Sequence, residues 1–147
     1  MPSDNFMKLA NAIHRALIKV SSGKQGWEIA GMPVLKLTTT GRKSDIARTV
    51  MLTSPLQIDE GMVIVASKGG SEKHPEWFMN LQENPEVIVE TQSGSKAMLA
   101  KIMDPDNREA RWNEIIQNFR NYDEYQNRTD RVIPLVVLLP KNLSSSN

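Results

Sequence analysis

The sequence predicts an α+β domain built on a closed or partly open barrel of about six mainly antiparallel strands with flanking helices. Three observations carry this prediction. Short β-branched or alternating segments recur between residues 33 and 139, the turns between them are too short for parallel crossovers, and helical apolar spacing appears only in separate stretches. The chain has 147 residues, the size of one ordinary domain. Three parts are expected: an amphipathic helix over residues 1–22, a barrel domain over 23–140, and a frayed tail over 141–147.

In the first part Phe6, Leu9, Ala10, Ile13, Leu17 and Val20 recur at three- and four-residue steps from Asp4 to Ser21, with Ser3 or Asp4 as cap. Lys8, Arg15 and Lys19 lie off that stripe. The helix can pack on the domain body or rest against a membrane surface. Beyond Gly31, Pro33 to Thr40 and Ala47 to Leu56 read as a hairpin around a turn at Gly41 to Ser44. Asp59-Glu60-Gly61 is a turn, and the apolar run Met62 to Ser67 suits a buried strand. Pro75 opens a short helix through Leu81, closed before Pro85. Glu86 to Thr91 and Lys96 to Met103 form a second hairpin, in which Gly94 can take a positive φ. Asp104-Pro105 caps a helix whose core side carries Ala110, Trp112, Ile115, Ile116 and Phe119. A short helix or turn covers Tyr122 to Arg128, and Val132 to Leu139 is the last strand.

Composition excludes several functions. With no cysteine there is no disulfide, thiol nucleophile or cysteine-bound metal, and the two histidines have no metal-ligand spacing. A content of 39% hydrophobic and 24% charged residues suits a soluble globular chain, and no apolar run is long enough to span a bilayer. Lacking a secretory apolar stretch as well, the chain is expected in the cytoplasm, membrane-associated if its first helix docks. The net charge of +1 argues against a nucleic-acid partner. Charge is nevertheless uneven: residues 1–54 hold eight Lys or Arg and three Asp or Glu, a net +5, which leaves −4 for the rest. An anion against the first third, or an ordinary solvated face, would account for it.

Gly41-Arg42-Lys43-Ser44 with Arg48 is the densest basic turn, and its three cations and one hydroxyl suit a phosphate or carboxylate. A solvated hairpin tip would read the same way. It lacks the first glycine and strand-to-helix context of a nucleotide-binding Walker loop. Ser67-Lys68-Gly69-Gly70 follows the most apolar strand, so its amides can form a nest and its glycines can admit a flat ligand, or simply supply positive φ. Phe119, Tyr122 and Tyr125, three apart, gather on one side of a helix and form either a pocket wall with phenolic hydroxyls or a core stripe.

Taken in order, four segments resemble the deazaflavin-dependent nitroreductases, which use coenzyme F-420 on an FMN-binding-like split β-barrel. They are Gly31-Met-Pro-Val-Leu-Lys-Leu-Thr-Thr-Thr-Gly-Arg-Lys-Ser44 with Arg48-Thr49; Val65-Ala-Ser-Lys-Gly-Gly70; His74-Pro-Glu-Trp-Phe-Met-Asn-Leu81 with Asn84-Pro85; and Tyr122-Asp-Glu-Tyr-Gln-Asn-Arg-Thr-Asp-Arg-Val-Ile-Pro134. The resemblance implies that Arg42, Lys43, Ser44, Arg48 and Thr49 hold the coenzyme's phosphate and acidic tail. It implies that Ser67, Lys68, Gly69 and Gly70 line its ring, and that Phe119, Tyr122 and Tyr125 bound the substrate pocket. Trp77 and Asn80 match its helix motif, with packing and capping roles. The expected activity is hydride transfer from reduced F-420 to a quinone, nitro-aromatic or enone, with Ser67, Tyr122 and Tyr125 as the catalytic group. Alternatives are an FMN-dependent oxidoreductase and a non-catalytic carrier of deazaflavin, flavin or a lipid-like ligand. The partner is the small-molecule acceptor, and the chain is a monomer or homodimer. Asp45 departs from the family pattern, which commonly has glycine there, and Phe119 lacks a hydroxyl found in some relatives.

Overall fold

A computed structural model describes residues 27–59 and 61–141, so the Asp4–Ser21 helix and the tail lie outside the described residues. In chain order the described elements are β1 (Glu28–Ile29), β2 (Met32–Thr40), β3 (Ala47–Thr53), β4 (Leu56–Ile58), β5 (Gly61–Val65), a 3-10 turn (Lys68–Gly70), α1 (Glu76–Glu83), β6 (Glu86–Thr91), β7 (Gly94–Ile102), α2 (Pro105–Asn118), α3 (Asn121–Asn127) and β8 (Leu135–Pro140). All strand pairs are antiparallel, in the path β1-β2-β6-β7-β8-β5-β4, with β3 also paired to β2. Because β3 runs into β4 across only Ser54 and Pro55, the sheet curls back on itself as a split barrel.

Each face of the curled sheet has its own core. Leu35 and Leu37 of β2, Val87 and Val89 of β6, Met98 of β7 and Leu138 of β8 fill one cluster, which Phe78 and Leu81 of α1 close. Val63, Val65 and Leu135 meet Trp112 and Ile115 of α2 and Tyr122 and Tyr125 of α3 in the other. Strands β5 and β8 are therefore buried on both faces, which explains why their sequences are continuous apolar runs rather than alternating ones.

Several boundaries differ from the sequence expectation. The segment expected as one strand from Ala47 to Leu56 is divided into β3 and β4 at Pro55, which has no N–H for the ladder. The buried Ser54 hydroxyl beside it meets the carbonyls of Leu56 and Val63 at 2.9 and 2.7 Å. The β6–β7 turn is tighter than expected, with Thr91 paired to Gly94 and Gly94 at φ +118°. Strand β8 begins at Leu135 rather than Val132, because Arg131 and Ile133 bond to side chains of α2 and α3 instead of a strand. The short strands β1 and β4 were not expected. Asp104 caps α2 as expected, accepting from the Asn107 N–H at 2.9 Å.

Candidate active site

The basic turn between β2 and β3 is a rigid bracket. Gly41 N–H donates to the Ile46 carbonyl at 2.8 Å and Asp45 N–H to the Gly41 carbonyl at 2.9 Å. A Cβ on Gly41 would lie 2.6 Å from Ser44 Oγ and 3.1 Å from the Ile46 carbonyl oxygen, so a side chain there would displace Ser44. Asp45 sits at φ +59°, a left-handed conformation that glycine takes without cost and Asp takes better than most residues. The Asp45 side chain lies outside the lining of the adjoining cleft.

Helix α1 fixes the bracket from the side. Asn80, buried at 5% exposure, accepts from Arg42 N–H at 3.2 Å and from Arg42 Nη1 at 2.8 Å, and its amide donates to Thr39 Oγ1 at 3.3 Å. Arg42 Nη2 also pairs with Glu76 at 2.8 Å. Between turn and helix lies a cleft of about 500 Å³, walled by Arg42, Lys43, Ser44, Arg48 and Thr49 on one side and by Glu76 and Trp77 on the other. Among the described residues, Lys43 and Arg48 form no ion pair, and the one carboxylate lining the cleft, Glu76, is paired with Arg42.

The second expected turn lies near the same cleft without lining it. Glu76 links the two: its carboxyl is held below the usual range by the hydrogen bond and charge of Arg42, with the charges of Lys68 and Lys43 adding to the effect. Ser67 is 7% exposed, and its hydroxyl makes no hydrogen bond among the described residues without being a buried unsatisfied group. Lys68, Gly69 and Gly70 all have positive φ, at 46°, 64° and 85°. A Cβ on Gly70 would come within 2.5 Å of the Tyr125 carbonyl, so the close approach of α3 requires glycine here.

The aromatic trio is placed behind that turn. Tyr122 and Tyr125 are 3% and 2% exposed in the second core, ring edge to ring face with centroids 5.9 Å apart, and Phe119 packs against them half-buried. Burial pushes the Tyr122 phenol up to about 12, and its hydroxyl meets Met32 Sδ at 3.6 Å. Of the two sequence alternatives, the core stripe is the arrangement in this structure. Met32, Val65 and Leu135 share that core cluster with both tyrosines.

The fold is shared with known proteins. The family model described as F420H(2)-dependent quinone reductase matches residues 11–140. The chain belongs to this family. It is 39% identical over 130 residues to an F420H(2)-dependent quinone reductase of Mycobacterium tuberculosis, covering 86% of this chain and 87% of that one. A solved F420-H2 dependent reductase superposes with a TM-score of 0.63 at 36% identity, covering 72% of this chain and 93% of the other. A second solved chain, described as a domain-swapped dimer, gives 0.65 at 32% identity over 85% and 93%. Membership makes this protein a deazaflavin-dependent oxidoreductase on a split β-barrel, as the four segments implied, and makes F-420 rather than FMN its cofactor.

The residues fit such a coenzyme. Lys43 and Arg48 line the cleft and form no ion pair among the described residues, a chemistry that suits an anionic arm. Sequence reading did not single out Glu76 within the cleft, nor Arg131, whose guanidinium binds the back of the Ser67–Gly70 turn. Both stand inside recognised segments, but their partners are 34 and up to 65 residues away, a separation local spacing does not register.

Proposed function

We propose that this chain reduces a quinone at the expense of reduced F-420, with the coenzyme's acidic arm in the cleft beside the β2–β3 turn. The observation that carries the reading is the pair Lys43 and Arg48, fixed on a braced turn and lacking a carboxylate partner among the described residues. Bound F-420 in its reduced form supplies a hydride. The chain supplies position and charge. Lys43, Arg48 and Ser44 hold the phosphate-bearing arm, Arg42 and Thr49 shape its seat, and Trp77 forms the facing wall. Ser67, Lys68 and Gly69 face the ring, where the Ser67 hydroxyl donates to the acceptor oxygen as negative charge develops on it. With both tyrosine side chains enclosed, the accompanying proton comes from solvent.

A quinone is preferred over a nitro-aromatic or enone because the M. tuberculosis relative is described as a quinone reductase. Mixing the purified protein with reduced F-420 and menadione tests the reading. Oxidation of the coenzyme is expected to run well above the protein-free rate; no acceleration with menadione or with longer-tailed quinones would overturn it.

A further inference from the structure

The half-buried Arg131 makes four side-chain hydrogen bonds between Ala66 and His74, while Arg128 Nη1 donates to the Gly69 carbonyl at 3.3 Å. Its Nε donates to the Ser71 carbonyl at 2.8 Å, and its Nη2 to the carbonyls of Ser67 at 2.9 Å and Ala66 at 3.2 Å. Its Nη1 meets His74 Nδ1 at 3.1 Å. Four contacts nearly exhaust the five N–H groups of a guanidinium, and they reach across the whole connection from the end of β5 to the start of α1. The backbone enclosed has a strained course, since Lys68 holds a left-handed conformation without being glycine. Its internal support is slight: Gly70 N–H to the Ser67 carbonyl and Ser71 N–H to the Lys68 carbonyl.

The arginine is itself locked in place. Gln126 of α3 donates to the Arg131 carbonyl at 2.7 Å and accepts from Ile133 N–H at 2.9 Å, while Arg108 of α2 donates to Gln126 at 2.9 Å and to the Ile133 carbonyl at 3.0 Å. Among the described residues Arg131 has no carboxylate partner, so a desolvated positive charge is spent on backbone carbonyls. A turn needing only closure would be served by a neutral side chain. Directing a planar fork at the carbonyls of residues 66, 67 and 71 sets the orientation of the Ser67 backbone and hence of its unpartnered hydroxyl.

We propose that Arg131 is the positioning residue of this site: its guanidinium holds the Ser67–Gly70 turn in the strained form that receives the ring, so that the turn is organised before the coenzyme arrives. This rests on the reading of that turn as the ring's seat. The binding energy of the coenzyme is then not drawn on to order the loop.

The variants are Arg131→Lys, which keeps the charge but not the fork, and Arg131→Ala with and without added guanidinium chloride at low millimolar concentration. Amide hydrogen exchange of the ligand-free protein is expected to accelerate at Lys68 to Ser71 in Arg131→Lys while β6 and β7 keep wild-type protection. F-420 affinity measured by fluorescence titration is expected to fall about tenfold in Arg131→Lys, and guanidinium is expected to restore part of the loss in Arg131→Ala. Wild-type exchange at the turn together with wild-type affinity in a folded Arg131→Lys overturns the proposal. So does accelerated exchange with unchanged affinity. If Arg131→Lys does not fold, guanidinium-dependent binding by Arg131→Ala decides, and binding insensitive to guanidinium counts against the role. Failure of the wild type to bind F-420 refutes the underlying cofactor seat instead, and is distinguished because the exchange effect at the turn would persist.

Discussion

At the scale of single residues, the site is built from positions whose chemistry is set by conformation as much as by side chain. Asp45 occupies a left-handed position at φ +59°. Asp45→Gly is therefore expected to leave the protein as stable as the parent or more stable, by up to about 0.5 kcal/mol in urea unfolding. A loss of more than that would mean the Asp side chain makes an unrecognised contribution. Tyr122 illustrates the opposite control, where enclosure sets the titration. Its phenol, ordinarily near 10, is raised to about 12 by burial, so the folded state resists ionisation that the unfolded chain accepts. The resulting stability is complete below pH 10 and is lost as pH rises from about 10 to 12, amounting to about 2 to 3 kcal/mol. Chemical denaturation at stepped pH checks this: Tyr122→Phe should flatten the alkaline decline, whereas an unchanged decline would place its cause elsewhere.

At the scale of elements, the bracket depends on α1 being held against the β2–β3 turn. Asn80→Ala removes acceptors for two Arg42 donors and the partner of Thr39 in a buried setting. It is expected to cost about 1 to 3 kcal/mol and to weaken coenzyme binding as Arg42 is released. Calorimetric melting and titration of the same variant check both, and a variant as stable as the parent would contradict the bracing role. Elements with a strong local signature were legible in the sequence: β2 with its alternation, α2 with its Asp104 cap, and the β6–β7 hairpin with Gly94. The division of β3 from β4 was missed because Pro55 stands inside an otherwise extended run. The late start of β8 was missed because Val132 has strand-like chemistry but a neighbour, Arg131, recruited by distant carbonyls.

At the scale of the whole molecule, one chain wraps two cores around a shared pair of strands and leaves the cationic turn at the rim of a cleft. The basic turn lining the cleft was legible in the sequence because Arg42, Lys43 and Arg48 fall within seven residues. The aromatic half could not: three-residue spacing fits a pocket wall and a core stripe equally, and only the packing of α3 on β5 and β8 chose between them. Membership in the family then joins these pieces to a reductase fed by F-420. The most direct test of the electrostatic seat is a calorimetric titration of F-420 into the parent protein and into the Lys43→Ala, Arg48→Ala double variant at increasing salt. The parent's affinity is expected to fall steeply with ionic strength, while the variant binds at least about tenfold more weakly at low salt and with a much shallower salt dependence. Equal affinities and equal salt slopes for the two proteins would contradict the account.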